Sequence, residues 1–282
     1  MKVVAVLLSV LAFLTAVSPH GKGNADDGNE KRLVYGKLML SDYYLFSEHT
    51  SMLTFMPNND SVIFADNFRI ASDRNESVKS IDFSPHDSSQ NTAINFLPVD
   101  VSTVFPNLVI YDAIRCSIRQ ITKENFKQLT KLQSLVLIQN NIVRIDENSF
   151  DDLVNLKEIN LYKNNIEVLP DNIFRNLRQL VSIELGKNPI KAINDQHFRY
   201  NRKLEWVSLT ECKLIFISPA MVDGITTLNY VSLVGNVCID KNYGVPPVIL
   251  DPNVKYRKFT ESLTEFRDDV HRNCTLGFAD LG

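Results

Sequence analysis

After residue 18 the 282-residue chain holds no apolar run long enough to cross a bilayer, so no membrane-spanning helix is expected. Its last residues, Phe278 to Gly282, offer no apolar tail for a lipid anchor. An excess of basic charge is lacking as well. The formal net charge is −3, and no dense lysine or arginine stripe occurs, which argues against nucleic acid as a partner. Signatures of catalysis are missing: there is no G-x-S-x-G, no Walker loop, no H-E-x-x-H and no paired-cysteine metal spacing. No enzyme activity, cofactor or metal is therefore expected. The five histidines fall in unrelated contexts, and His197 beside Phe198 reads as a surface residue. Asp151-Asp152 and Asp268-Asp269 read as solvated charges.

Residues 1–18 have the form of a secretory signal: Lys2, an apolar run from Val3 to Leu14, then small residues. That run is too short for an anchor, so the chain is expected to be secreted and extracellular. Three Asn-x-Ser/Thr sequons, at Asn59, Asn75 and Asn273, are candidate glycosylation sites and agree with secretion.

One pattern dominates what remains. Leu108, Leu132, Leu156, Leu180, Leu204 and Leu228 are each 24 residues apart, and each opens the phrase L-x-x-L-x-L-x-x-N-x-L. The third phrase runs Leu156, Ile159, Leu161, Asn164, Ile166, then Leu169, Phe174 and Leu177. This is the leucine-rich repeat signature. Leu-x-Leu has strand periodicity, so each unit is expected to give one short strand. A single unit cannot cover its own apolar side, and stacking the strands in parallel does so. The ninth-position amides Asn140, Asn164, Asn188 and Asn236 are placed to bind backbone groups of neighbouring turns. Phe126, Phe150, Phe174 and Phe198 should form a second layer under the convex side. Cys116 and Cys212 share the asparagine column. They lie four units apart, on the order of 19 Å at one strand spacing per unit, beyond the reach of a disulfide, so both are expected to be free and buried.

The expected fold is an α/β solenoid, a horseshoe with a parallel concave sheet and capped ends. The chain divides into the signal (1–18), a Gly-, Asp- and Asn-rich segment expected to be disordered (19–31), a strand-based N-terminal cap (32–77), repeats (78–237) and a C-terminal cap (238–282). The first repeat is irregular: Val78, Ile81 and Phe83 form its strand, His86 to Thr92 a polar loop, and Leu97 to Phe105 its leg. Phe259, Leu263, Phe266 and Val270 recur at helical spacing, and Ser262 with Glu265 offers a capping box.

Strand alternation turns the third, fifth and seventh residues of each phrase away from the core, with the eighth beside them. Ile110, Ile114, Val136 and Ile138, with Tyr162, then make an apolar patch on the concave face, of a kind monomers seldom leave bare. A covering cap or loop is the competing explanation. Trp206 and Tyr230 become neighbours on adjacent strands, and both are residue types enriched at binding hot spots; Pro246-Pro247 and Val248 to Leu250 are candidates to cover them. Lys163 and Lys187 with Glu158 and Glu184 give a mixed-charge surface suited to a protein partner.

The secretory signal, the 24-residue units, the Phe105-Pro106-Asn107-Leu108 entry and the Gly235-Asn236-Val237-Cys238-Ile239 exit resemble insect extracellular leucine-rich repeat proteins. The nearest type is the coil-less or short leucine-rich immune proteins of mosquitoes and related flies, with the resemblance covering about residues 78–274. It implies a recognition factor of innate immunity acting on a protein or microbial surface ligand. It also implies that Cys238 and Cys274 pair, as in C-terminal caps of extracellular repeat proteins. The chain departs from the long members in lacking a coiled-coil tail and an unpaired cysteine outside the ladder, so a monomer or weak oligomer is expected. A structural or adhesive matrix or cuticle component is the second reading.

Overall fold

The computed structural model describes residues 33–34, 36–45, 48–57, 69–70, 74–84, 94–246 and 258–275. The signal, the 19–31 segment, the Asn59 sequon, the His86–Thr92 loop and the stretch from Pro247 to Leu250 lie outside these residues.

The 24-residue period becomes a register. Strands β1 (Gly36–Leu45), β2 (Glu48–Pro57), β3 (Ser80–Asp82), β4 (Ile110–Asp112), β5 (Ser134–Val136), β6 (Glu158–Asn160), β7 (Ser182–Glu184), β8 (Trp206–Ser208), β9 (Tyr230–Ser232) and β10 (Asn242–Gly244) form one sheet in chain order. From β2 to β9, leaving aside the link from β1, neighbours are parallel, and equivalent residues pair: Leu135 with Ile159, Ile159 with Ile183, Ile183 with Val207. The six phrase-opening leucines are at most 2% exposed, so they share one continuous spine.

Curvature follows from unequal spacing on the two sides of the core. Strands sit about 4.8 Å apart. On the opposite leg Phe126, Phe150, Phe174 and Phe198 stack with ring centroids 6.0, 6.2 and 6.0 Å apart. Wider spacing under the legs fans the units and puts the sheet on the concave side.

Buried backbone between turns is satisfied by the asparagine column. Asn164 Nδ2 donates to Leu137 O at 2.9 Å and Leu161 O at 3.0 Å, while its Oδ1 accepts the Ile142 N–H at 3.1 Å. Asn140, Asn188 and Asn236 repeat the arrangement. Cys116 and Cys212 take the column's place with only a thiol donor, Cys116 to Phe83 O and Cys212 to Leu185 O. Both are buried and free. Burial is the main cause raising both thiol pKa values, that of Cys212 to about 12.

Both ends of the sheet are antiparallel. At the start, β1 and β2 form a hairpin whose second strand pairs Thr54 with Ser80 and Phe55 with Ile81. Phe55 packs on Phe105 with centroids 5.1 Å apart. At the far end β10 returns against β9, and helix α1 (Phe259–Cys274) closes the core with Phe259, Phe266 and Val270. The Cys238–Cys274 disulfide ties the helix down, with Cα atoms 5.1 Å apart.

Two expectations are corrected. Ser262 is not a cap: α1 starts three residues earlier, Ser262 lies buried inside it, and its hydroxyl turns back to Lys258 O. Glu265 instead takes Lys241, together with Asp269, which also accepts from Tyr243 OH. His197 is 4% exposed, not on the surface. Its Nδ1 accepts the Asn194 N–H at 3.0 Å, so Nε2 carries the proton toward Leu169 O at 3.2 Å. It bridges two turns of the leg, and its burial lowers its pKa.

Candidate functional site

The concave face carries its side chains in columns because successive strands hold equivalent residues side by side. Trp206 lies directly opposite Tyr230 in the third column, both partly buried. Trp206 Nε1 is buried without a hydrogen-bond partner, a cost normally avoided in an interior. Beside this pair stands a hydroxyl cluster, with Thr210 Oγ1 2.5 Å from Ser232 Oγ and within 3.4 Å of Ser208 Oγ.

The apolar patch is only in part as expected. Ile114, Val136, Ile138 and Tyr162 are partly exposed. Ile110 is not, at 3% exposed. Its neighbours across the strands, Ser80 and Ser134, are buried with it at 0% and 4% exposed, so the third column is covered at this end of the face and Ile110 is closed off from a ligand. Tyr162 lies under Lys187, with Nζ 5.6 Å from the ring centroid, and Lys187 also pairs with Glu211 at 3.4 Å. Lys163 is exposed.

The eighth residues form a rim. Arg115, Gln139, Lys163, Lys187, Glu211 and Gly235 all have positive φ, from 51° to 74°. The chain leaves these six strands, β4 to β9, through the left-handed region, which non-glycine residues seldom adopt.

A carboxyl cluster escaped the sequence columns, which began at Ile110. The 30-residue first unit puts Asp82 directly opposite Asp112, about 4.8 Å away across the strands, with Glu158 two strands on. Three polar residues of the fifth column close on their own backbone. Asp82 Oδ1 accepts the Ser84 N–H at 2.8 Å, Asn160 Oδ1 the Tyr162 N–H at 3.1 Å and Glu184 Oε1 the Gly186 N–H at 2.7 Å. Asp112 cannot, because the Ile114 N–H is taken by Ser84 Oγ at 3.0 Å. Its Oδ1 is left buried and unpaired. Burial first, then Asp82 and Glu158, push the Asp112 pKa up to about 8. Burial also raises Glu158, and raises Glu184 against the opposing bonds from Gly186 and Ser208. An Asp82–Asp112 match could have been read from the sequence only by allowing the first unit a longer period.

The raised Asp112 pKa has a signed consequence. The folded state favours the neutral carboxyl, so its contribution is fully present below the ordinary value near 3.8 and is lost as pH rises toward about 8. Asp112→Asn is expected to melt at a higher temperature than the native chain at pH 8, with the difference shrinking toward pH 4. Equal melting temperatures at pH 8 would contradict the burial and crowding of this carboxyl.

Among the described residues no group of three His, Cys, Asp or Glu could hold a metal, and no helix is long and apolar enough to cross a membrane. A curved parallel sheet with a side-chain-bearing inner face defines a repeat scaffold, and the fold is a leucine-rich repeat solenoid. The family described as BspA type leucine rich repeat region matches residues 113–242 in six copies. No curated protein matches the chain. Among solved structures, TLR13 in its complex with ssRNA13 is 22% identical, with a TM-score of 0.49 over 61% of this chain and 29% of that one. Toll in the Toll–Spatzle complex of Drosophila is 16% identical, with a TM-score of 0.50 over 61% of this chain and 23% of that one. The chain thus spans under a third of either relative, and the likeness to Toll is one of fold.

Proposed function

We propose that this chain is a secreted, non-enzymatic recognition protein that holds a protein partner, or a protein-like microbial surface ligand, on its concave face in innate immunity. The observation that carries the reading is the Trp206–Tyr230 pair, two partly exposed aromatic side chains set side by side on the inner sheet. Aromatic anchors of this kind dominate binding energy at interfaces. The Cys238–Cys274 disulfide suits an oxidising compartment, and the form of residues 1–18 suits export. Asn75, in a turn ahead of β3, and Asn273, on the last turn of α1, are candidate glycan sites off the concave columns. Glycans there would leave the face open.

Support for an immune setting comes from the resemblance to insect extracellular repeat proteins, and from Toll, whose complex with Spatzle is described as a hub of Drosophila development and innate immunity. TLR13 is seen with RNA. For this chain the acidic inner face favours a protein partner over a polyanion.

The test is capture of partners from extracellular fluid of the secreting tissue, identified by mass spectrometry, with the native chain and with Trp206→Ala and Tyr230→Ala. Each variant is expected to weaken capture by roughly thirtyfold, the effect of losing a hot spot, while its melting transition holds. Undiminished capture by both variants would remove the concave face from the reading.

A further inference from the structure

The two sequons among the described residues, Asn75 and Asn273, lie in opposite settings, and the second is built into the closure of the C-terminal cap. We propose that the Cys238–Cys274 bridge shuts the Asn273 sequon. Asn273 then accepts an N-linked oligosaccharide only before the cap closes, and the protein is made in two forms, bridged with the sugar and bridged without it. The inference rests on the reading that the chain is exported.

All of the tripeptide Asn273-Cys274-Thr275 is engaged in the folded cap. Asn273 is the last residue but one of α1, with its side chain in solvent and its backbone inside the helix. Cys274 is fully buried and joined to Cys238. Cys238 is itself anchored to the repeats, its N–H donating to Leu214 O at 3.0 Å. Thr275 Oγ1, the hydroxyl that completes the sequon, donates to His271 O at 2.5 Å, one of the last carbonyls of the helix. An acceptor asparagine belongs in a surface loop, because the transferase must take hold of the amide, the hydroxyl two residues on and the backbone between them. Here that means unwinding the last turn of α1 and drawing out Cys274, which its bond to Cys238 prevents.

Asn75 is the contrast. Its tripeptide Asn75-Glu76-Ser77 runs through a turn, with Glu76 and Ser77 exposed and Asn75 Oδ1 accepting the Ser77 N–H at 2.9 Å. Neither a helix nor a bridge encloses it.

The order runs one way. A sugar added first sits on the solvent side of α1 and leaves the buried thiol free to pair. A bridge formed first leaves the tripeptide out of reach. In the transfer, Asn273 Nδ2 loses a proton and bonds to C1 of the sugar. The C1–O bond to the lipid-linked pyrophosphate donor breaks, and the lipid pyrophosphate leaves with the electron pair. In closure, the two thiols give two protons and two electrons to a disulfide oxidant, which becomes a dithiol. The reactions share no atom. They compete because they need different conformations of one tripeptide.

The full-length chain, with residues 1–18, is expressed in secretory cells. Sugar occupancy at Asn75 and Asn273 is read by peptide mass spectrometry on secreted and retained protein together. In the native chain Asn273 is expected to be partly occupied and Asn75 more fully. Cys238→Ser leaves Asn273-Cys274-Thr275 intact and is expected to raise Asn273 to the level of Asn75, with Asn75 unchanged. Asn164→Ala weakens the repeats but keeps the bridge, and is expected to leave Asn273 as in the native chain. Full occupancy of Asn273 in the native chain, or equal occupancy with and without Cys238, overturns the proposal. A rise in Asn164→Ala equal to that in Cys238→Ser overturns it too, since slow folding of any kind would then suffice. If Asn75 carries sugar while Asn273 ignores the loss of Cys238, export stands and this inference alone falls. A chain that stays in the cytosol without sugar removes both.

Discussion

Asn164→Ala is expected to destabilise the protein by about 3–5 kcal/mol, measured by urea unfolding. The side chain sits at 4% exposure and satisfies three backbone groups, the carbonyls of Leu137 and Leu161 and the N–H of Ile142. Alanine offers none of these bonds, and water cannot reach the turn to replace them. Each buried group left unpaired costs about 1–3 kcal/mol. The native Cys212 marks an intermediate case, since its thiol keeps one bond, to Leu185 O at 3.4 Å, in the same column. Asn164→Cys should therefore recover part of the loss by donating to one carbonyl. An alanine variant as stable as the native chain would show that these turns do not depend on the amide column.

Cys274→Ser should cost about 3.5–4 kcal/mol, the chain-entropy value for releasing a loop of this length. The bridge spans 36 residues from Cys238 at the last repeat to the end of α1. Its loss leaves the helix held by Phe259, Phe266 and Val270, by the edge-on contact of Tyr243 with Phe266 at 5.3 Å, and by Lys241 with Glu265 and Asp269. The helix should therefore loosen before the repeats do, because solenoid units depend on their neighbours one interface at a time. Hydrogen exchange in 259–274 should accelerate well ahead of exchange in the central repeats. Uniform acceleration across the chain would instead mean that the cap and the repeats unfold as one cooperative body.

The repeats were legible because period and register are the same information. A residue 24 positions on lies beside its equivalent, so the columns of Leu, Asn and Phe could be written down from spacing alone, and with them the Trp206–Tyr230 pair. The irregular first unit broke that rule. Asp82 meets Asp112 across 30 residues, and a column counted in steps of 24 passes over it. Ile110 departs from expectation for a different reason: alternation places it on the concave face, while its exposure depends on what covers that face, and Ser80 and Ser134 beside it are buried too. His197 shows the other limit. Nothing in Gln196-His197-Phe198 distinguishes a surface imidazole from one that spans two turns, because its partners, Asn194 and Leu169, come from different units.

By itself the sequence determined the solenoid: an even apolar period forces a stack, since no unit can hide its own leucines and each neighbour can. The tertiary structure alone decided how the two caps pair with the sheet and what its inner face offers. The antiparallel pairing of the hairpin at one end, the returning strand β10 at the other, and the unpaired Asp112 carboxyl all arise from contacts between segments of unrelated pattern. Periodicity carries no record of such contacts, because burial and pairing there are set by distance in space and not by position in a repeat.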